Sequence, residues 1–169
     1  MGGGAIITIR RAVLSVICVF LIYFMCVDVT VISLAVGEEF LFAEYMYPGS
    51  LFETGYIHSV QKTPVEDVYV VVDGKLWLWE ERVVSHNAGL PSESPYRGYF
   101  LSDKEWMHFF GGRYSTKRYM LRVGDDILGR NVCRFYGRSD WIDLFDIVPG
   151  KRCVVSVETK PFLTTLVGM

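Results

Sequence analysis

Residues 1–36 carry the strongest hydrophobic signal in the chain. After the Arg10–Arg11 pair, residues 12–27 contain no charge, and a second uncharged run follows Asp28. Crossing the hydrocarbon core of a bilayer takes about 20 apolar residues in a helix. The run is shorter than this, but a helix that places Asp28 near the far interface would just span the core. We therefore predict one N-terminal transmembrane helix within this segment.

The charge before the run predicts its orientation. Lys and Arg accumulate on the cytoplasmic side of membrane spans. Arg10 and Arg11 therefore place the N-terminus in the cytoplasm and the rest of the chain outside it, as a single-pass protein of the cell membrane. One alternative is an exported and cleaved form, because Ser33-Leu34-Ala35 has the small-x-small shape of a signal-peptide cleavage site. The other is a buried helix of a soluble protein.

The rest of the chain has the pattern of strands and turns. β-branched and aromatic residues fill residues 65–72 and 75–84, and Asp73-Gly74 between them is a strong signal for a two-residue hairpin. Further short runs follow at similar spacing, separated by turn residues. This spacing favours an all-β fold, an antiparallel β-sandwich or small barrel. We assign residues 37–160 to an extracytoplasmic β domain and residues 161–169 to a loose C-terminal tail.

Charge and cysteine content narrow the function classes. A net charge of −2 gives no basic surface of the kind that nucleic-acid binding requires, so no nucleic-acid partner is predicted. Cys133 and Cys153 fall in the predicted exported part, where an oxidising compartment would permit a disulfide between them. Two free buried thiols are the alternative. Because no cysteine pair has the CxxC spacing of a metal or redox site, no cofactor is predicted.

The predicted hairpin determines which side chains face each other. A regular two-residue turn places Glu66 directly opposite Glu81 on one face. It places Asp67 opposite Glu80 on the other face, with Arg82 within diagonal reach. Like charges directly opposite each other destabilise a sheet. The Glu66–Glu81 pair therefore calls for a cationic neighbour, a bound cation, a raised carboxyl pKa or plain exposure to solvent.

More polar chemistry gathers just before the hairpin, in the segment Tyr56–Glu66. His58 and Ser59 are adjacent in a strand, so their side chains point to opposite faces and do not form a nucleophilic pair. His58, Glu66 and His86 are residue types that bind zinc. Their spacing matches no established zinc motif, and no metal is predicted.

A second short motif, Ser85-His86-Asn87-Ala88-Gly89-Leu90-Pro91, follows the hairpin. Its last four residues predict a rigid turn, which either approaches a partner closely through the glycine or forms a corner of the fold. No residue is predicted to be catalytic. The candidate contact residues for a ligand or partner are His58, Ser59, Glu66, Glu81, Arg82, Ala88, Gly89, Leu90 and Pro91.

On these motifs the chain resembles the domain-of-unknown-function 1850 family of bacterial and archaeal proteins. The resemblance rests on Tyr56-Ile57-His58-Ser59-Val60, Thr63-Pro64-Val65-Glu66 and Ala88-Gly89-Leu90-Pro91, and it extends over roughly Phe40 to Val157. The family pattern has Ser-Phe-Gly where this chain has Ser85-His86-Asn87. The resemblance implies a small exported or membrane-anchored protein. Such proteins are often encoded beside the TAXI type of tripartite ATP-independent periplasmic (TRAP) transporter.

Three functions fit these observations. The leading one is a noncatalytic accessory or binding module that assists solute uptake, with the TRAP permease or the TAXI-type solute-binding protein as its partner. The second is a hydrolase-like enzyme that uses His58 with the Glu66/Glu81 carboxylate pair, provided that the three side chains converge. The third is a purely structural envelope protein.

Overall fold

A computed structural model describes residues 3–85, 89–112 and 114–167. The described chain forms two compact units, residues 3–29 with 159–167 and residues 30–158. The helices are α1 (Gly3–Cys26), α2 (Leu144–Ile147) and α3 (Phe162–Val167). The strands are β1 (Asp28–Val36), β2 (Glu39–Met46), β3 (Leu51–Ile57), β4 (Pro64–Val72), β5 (Lys75–Val83), β6 (Tyr99–Ser102), β7 (Met107–Phe110), β8 (Ser115–Thr116), β9 (Arg118–Arg122), β10 (Val132–Phe135), β11 (Ile142–Asp143) and β12 (Arg152–Pro161).

The smaller unit contains the predicted apolar helix. Within α1, the stretch Ile9–Cys26 has a mean hydropathy of 2.0 and none of it is buried by the rest of the chain. By length and composition, this helix is able to cross a membrane. The segment predicted to be a loose tail contains helix α3, whose Phe162 ring packs edge-on against Phe24 with 5.7 Å between the ring centroids.

The apolar run of the sequence is shared between a helix and a strand. α1 ends at Cys26, and Asp28–Val36 forms β1 instead of continuing the N-terminal segment to residue 36. Ile32 and Leu34 are fully buried in β1, which lies between β2 and β12. A short apolar run does not by itself distinguish a buried strand from a helix. Cleavage after Ala35 would remove this strand from the fold.

The larger unit is built from two sheets. The four-stranded sheet has the order β2-β1-β12-β9, and the large sheet has the order β11-β10-β3-β4-β5-β7-β6, with β8 also paired to β5. The two central hairpin pairs, β3–β4 and β4–β5, are antiparallel. The predicted all-β fold, a sandwich preceded by one N-terminal apolar helix, is confirmed.

Side chains from both sheets meet in one main hydrophobic core. Phe52, Phe135, Ile32, Leu34 and Leu76 are among its fully buried members. We call the side of the large sheet that carries Phe52 and Leu76 the core face, and the opposite side the outer face. A smaller cluster contains Val65, Val83, Leu90 and Phe109.

The β4–β5 hairpin has the predicted turn but a different register. Asp73 and Gly74 have φ values of 51° and 63°, as a type I′ turn requires. A β-bulge on β5 then leaves Trp79 without a partner in the register. Compared with the predicted register, each later residue of β5 therefore has a different partner and lies on the opposite face of the sheet. The predicted Glu66–Glu81 pair is therefore wrong.

Candidate functional site

The bulge gathers charged residues on the outer face of the large sheet. Beyond it, Glu66 lies opposite Arg82, and Arg82 lies opposite His108 of β7. On the other side, Glu53 of β3 lies opposite Arg134 of β10. Side chains two residues apart on a strand share a face, so these groups form one connected set. We call it the Arg82 network, and its members are Glu53, Glu66, Glu80, Arg82, Asp103, His108 and Arg134.

Arg82 lies at the centre of this network. Its Nε and Nη2 donate to Oε1 and Oε2 of Glu80, each at 2.9 Å, a bidentate geometry that suits guanidinium and carboxylate. Its Nη1 donates to Glu66 Oε2 at 3.1 Å and lies 3.6 Å from Glu53 Oε1. These contacts raise the pKa of Arg82, and the bond to Glu80 contributes most. One guanidinium thus connects side chains from three adjacent strands.

His108 extends the network toward the edge of the sheet. Its Nδ1 lies 2.7 Å from Glu80 Oε1, and its Nε2 lies 3.0 Å from Asp103 Oδ2. Burial alone would lower the pKa of His108, but the bonds to Glu80 and Asp103 outweigh it and raise the pKa. Burial likewise would raise the pKa of Glu80, and the bonds from Arg82 and His108 reverse this and lower it. The arrangement favours a doubly protonated imidazole held between two carboxylates.

Arg134 forms the other end of the network. Its Nε donates to Glu53 Oε2 at 2.5 Å, and its guanidinium lies over the Trp141 ring, 4.5 Å from the centroid. This bond to Glu53 raises the pKa of Arg134. A guanidinium that is both paired and stacked loses much of its freedom to move.

The network carries an excess of negative charge beside exposed aromatic rings. Its four carboxylates face two guanidinium groups and one imidazole. On the same face, Trp77 and Tyr99 are 37% and 51% exposed, and Tyr99 stacks on Phe110 at 4.7 Å. Aromatic side chains next to fixed charge are typical of binding surfaces.

The core face of the same strands carries a second polar group. Asp67 lies directly opposite Glu81, and Thr54 lies opposite Asp67 on the other side. Burial, with the charge of Glu81 adding to it, raises the pKa of Asp67 to about 7. Burial also raises the pKa of Glu81. We call Asp67 and Glu81 the inner acid pair, and at neutral pH it retains a proton for part of the time.

Three tyrosines lie near the inner acid pair. Burial, followed by the charges of Asp67 and Glu81, raises the pKa of Tyr56 to about 12. Tyr69 stacks on Tyr119 with 5.3 Å between the centroids. Burial raises the pKa of Tyr119 well above its ordinary value. Burial therefore favours the protonated form of all three phenols.

Both polar groups lie in a region that matches a known family. Residues 52–140 match the family model described as a domain of unknown function, DUF1850. The chain belongs to the DUF1850 family. Separate searches of curated proteins and of solved structures found no match. The matched part of the DUF1850 chain contains every member of the Arg82 network and of the inner acid pair, whereas α1, β1, β2, β12 and α3 lie outside it.

His58 of the DUF1850 domain stabilises a turn. Its Nδ1 accepts hydrogen bonds from the backbone N–H groups of Val60 at 3.3 Å and Gln61 at 3.2 Å. Its carbonyl accepts from the Lys62 N–H, and Lys62 has a φ of 56°. Ser59 is exposed in the same turn. The first family motif thus has an evident role in closing the β3–β4 connection.

The predicted trio of His58, Glu66 and Glu81 does not converge. Glu66 lies on the outer face and Glu81 on the core face, while His58 caps a turn. Within the described ranges, no group of three His, Cys, Asp or Glu residues is arranged to hold a metal ion. Of the candidate contact residues, Glu66 and Arg82 are brought together directly.

The second family motif lies partly outside the described residues, which exclude Ala88. Gly89 is exposed with a φ of +92°, a left-handed conformation that favours glycine. Leu90 is 8% exposed and packs with Val65, Val83 and Phe109. Pro91 is half-buried. Leu90 therefore anchors this loop of the DUF1850 domain to the small core.

The two cysteines of the β domain are free thiols in this structure. They correspond to the expected alternative of two free buried thiols and not to a disulfide. Cys133 and Cys153 are both fully buried. Burial, followed by the neighbouring Cys153, raises the pKa of the Cys133 thiol to about 12. Burial also raises the pKa of Cys153. Such thiols are poor nucleophiles, because the reactive species is the thiolate.

Sequence patterns alone do not connect Glu53, Asp103, His108 or Arg134 of the DUF1850 domain to Arg82. These residues come from strands β3, β7 and β10 and from the β6–β7 turn, which are distant in sequence from Arg82. Each local segment shows only ordinary strand alternation. The signal that joins them is the register across five strands.

Proposed function

We propose that this protein is a noncatalytic, membrane-anchored binding module with its β domain outside the cytoplasm, assisting TAXI-type TRAP solute uptake. The observation that carries the proposal is the Arg82 network with the aromatic rings beside it. The transporter link follows from the family resemblance. We assign the outer face of the large sheet as the docking surface.

The network suits a surface that binds without changing shape. Each of its charged groups already has a partner within the sheet, so little side-chain entropy is lost when a partner docks. The excess of carboxylates favours a partner that presents Arg or Lys, because complementary charge guides docking and fixes its register. Trp77 and Tyr99 supply the large contact areas that dominate binding energy in many interfaces.

The apolar helix supports a partner in the same membrane. Attachment to one bilayer raises the effective concentration of the module near a membrane partner, so that a weak contact is sufficient. Among the transporter components, the permease meets this condition most directly. The soluble binding protein is the other partner that the test distinguishes.

The proposal is tested by recovering full-length protein from native membranes after mild crosslinking. We expect the permease in the wild-type eluate, and much less of it with the double variant Trp77→Ser/Tyr99→Ser. Phe40→Ser, which changes a 72% exposed ring on the four-stranded sheet, is the matched control and should leave recovery unchanged. Recovery of the binding protein alone would reassign the partner. Absence of both components would reject the transport role and favour a structural envelope protein.

The hydrolase alternative loses its geometric basis. It requires His58, Glu66 and Glu81 to act on one substrate, and general acid–base catalysis requires both carboxyl groups within reach of the reacting atoms. The register places Glu66 and Glu81 on opposite faces of the sheet. We therefore do not assign these three residues a catalytic role.

A further inference from the structure

We propose that α3 and the last turn of α1 form one lipid-facing element at the membrane interface, and that the mature chain therefore retains α1. The proposal rests on the membrane-anchored part of the proposed function and extends it to the C-terminal end of the chain. It assigns the exposed apolar surface of α3 to lipid.

The first observation is the direct connection between the two helices. The Phe162 ring packs against the Phe24 ring at 62° between the ring planes. The Phe162 N–H donates to the Val27 carbonyl at 2.9 Å. Carbonyl groups at the end of a helix have no partner within it. α3 therefore supplies both an apolar and a polar contact to the end of α1.

The second observation is the surface of α3. Its sequence from Phe162 to Val167 contains no charge, and the Leu163 side chain is 50% exposed. The hydroxyl of Thr164, which is exposed, donates to the Pro161 carbonyl at 2.7 Å. Thr165 is buried, and its hydroxyl donates to the Phe162 carbonyl at 2.6 Å. Hydroxyl groups that bond to their own backbone do not need water. An apolar medium accepts such a surface readily.

The third observation is the depth of the last turn of α1 in the bilayer. The uncharged part of α1 from Ala12 to Cys26 rises about 22 Å at 1.5 Å per residue, which is less than the roughly 30 Å of a bilayer's hydrocarbon core. Phe24 lies in the last turn of this stretch and is 53% exposed. With Arg10 and Arg11 held at the opposite interface, Phe24 lies at or inside the far boundary of the hydrocarbon core. Phe162 contacts Phe24, so α3 lies at a similar depth.

Retention of α1 follows from the same contacts. Removing α1 would take away the Phe24 ring on which Phe162 packs and would expose an uncharged helix to water. A cut after Ala35 would in addition remove β1 from the four-stranded sheet. Neither product keeps the described fold intact.

The experiment places an environment-sensitive fluorescent amino acid at position 163 of the full-length protein in phosphatidylcholine vesicles. Lipids that carry a nitroxide near the headgroup or deep in the acyl chain then report depth. We expect strong quenching by the shallow nitroxide, unchanged when the protein is diluted in lipid. Phe162→Ala should weaken quenching, and Thr164→Ala, which leaves the ring contact in place, should not.

Flotation of the vesicles separates the possible failures. Protein that does not float with the vesicles would reject membrane anchoring itself. Protein that floats while its probe at 163 is not quenched would overturn only the placement of α3. Quenching that is weak at high protein density and appears only on dilution in lipid would assign the surface to a second copy of the chain instead. The intact mass of protein from native membranes should include α1, and a mass that lacks it would overturn its retention.

Discussion

Asp67 on β4 lies directly opposite Glu81 on β5, on the face of the large sheet that carries the core. Two carboxyl groups in this position repel each other when both are ionised. Burial adds to this cost, because it disfavours the charged form of each group. This pair lies between the two hydrophobic clusters, and it makes an unfavourable, pH-dependent contribution to the stability of the folded state.

Asp67→Asn should stabilise the protein at pH 8 and have a smaller effect at pH 5. The pKa of Asp67 is raised from its ordinary value of 3.8 to about 7, so the folded state binds more protons than the unfolded state between these values. Stability from this group is full at low pH and is lost as the pH rises toward 7. Because the group is partly exposed, we expect a gain of roughly 1–2 kcal/mol at pH 8.

Urea unfolding at the two pH values measures this effect. Glu66→Gln is the matched control, since it removes a carboxylate of the outer face and weakens a bond to Arg82. It should destabilise the protein at pH 8. A destabilising Asp67→Asn at pH 8 would contradict the assignment of Asp67 as a strained acid.

Arg82→Met should destabilise the protein by roughly 2–4 kcal/mol at pH 7, because it leaves three neighbouring carboxylates without their shared cation. The cost should shrink in acid, because Arg82 helps to lower the pKa of Glu80, and that contribution to stability is lost as Glu80 becomes protonated. Arg138→Met removes the more exposed ion pair with Glu44 and should cost less than about 1 kcal/mol. Equal losses in the two variants would argue against a central role for Arg82.

Deletion of Trp79 should leave the strand pairs on both sides of the bulge unchanged, because Trp79 is the residue without a partner in the register. Leu78 would still lie opposite Tyr69 and Arg82 opposite Glu66, now in a regular ladder without the bulge. We therefore expect the deletion variant to fold cooperatively. Trp79→Ala, which keeps the bulge and alters a side chain that is 47% exposed, is the control. Circular dichroism and thermal unfolding compare the two, and a deletion variant that does not fold would refute this account of the bulge.

Cys133 and Cys153 should resist alkylation in the folded protein and react after unfolding without a reducing agent. Both are fully buried, and the thiols are free. Mass spectrometry after iodoacetamide treatment counts the modified residues in each state. Cys18 and Cys26 are exposed in α1, so Cys18→Ser/Cys26→Ser provides a clean background. No modification of this variant after unfolding would reveal a disulfide in the isolated protein.

Local signals in the sequence were enough for part of the fold. Positive φ values at both turn residues are natural for Asp73-Gly74, and the turn forms as predicted. Mean hydropathy was likewise enough to find α1. The strand β1 was hidden because Val29 to Val36 is as apolar as the helix before it. Only packing against β2 and β12 makes this segment a strand.

The candidate site was harder to predict because one inserted residue controls it. Nothing in Trp77-Leu78-Trp79-Glu80-Glu81-Arg82 marks Trp79 as the residue without a partner. Counting without the bulge makes Glu66 and Glu81 a repulsive pair. With the bulge, Glu66 lies opposite Arg82, and Asp67 lies opposite Glu81 in the repulsive pair. A change of register by one residue thus places the pair of facing carboxyl groups on the core face instead of the outer face.

The placement of β1 beside β12 has a consequence for the growing chain. β1 is synthesised soon after α1, but one of its two neighbours in the sheet is β12, which follows it only after all the other described strands. Until residues 152–161 emerge, that side of β1 is an open edge that can pair with another chain. Premature termination before β12 should therefore yield aggregation-prone protein, and chaperone demand should fall only when β12 has emerged.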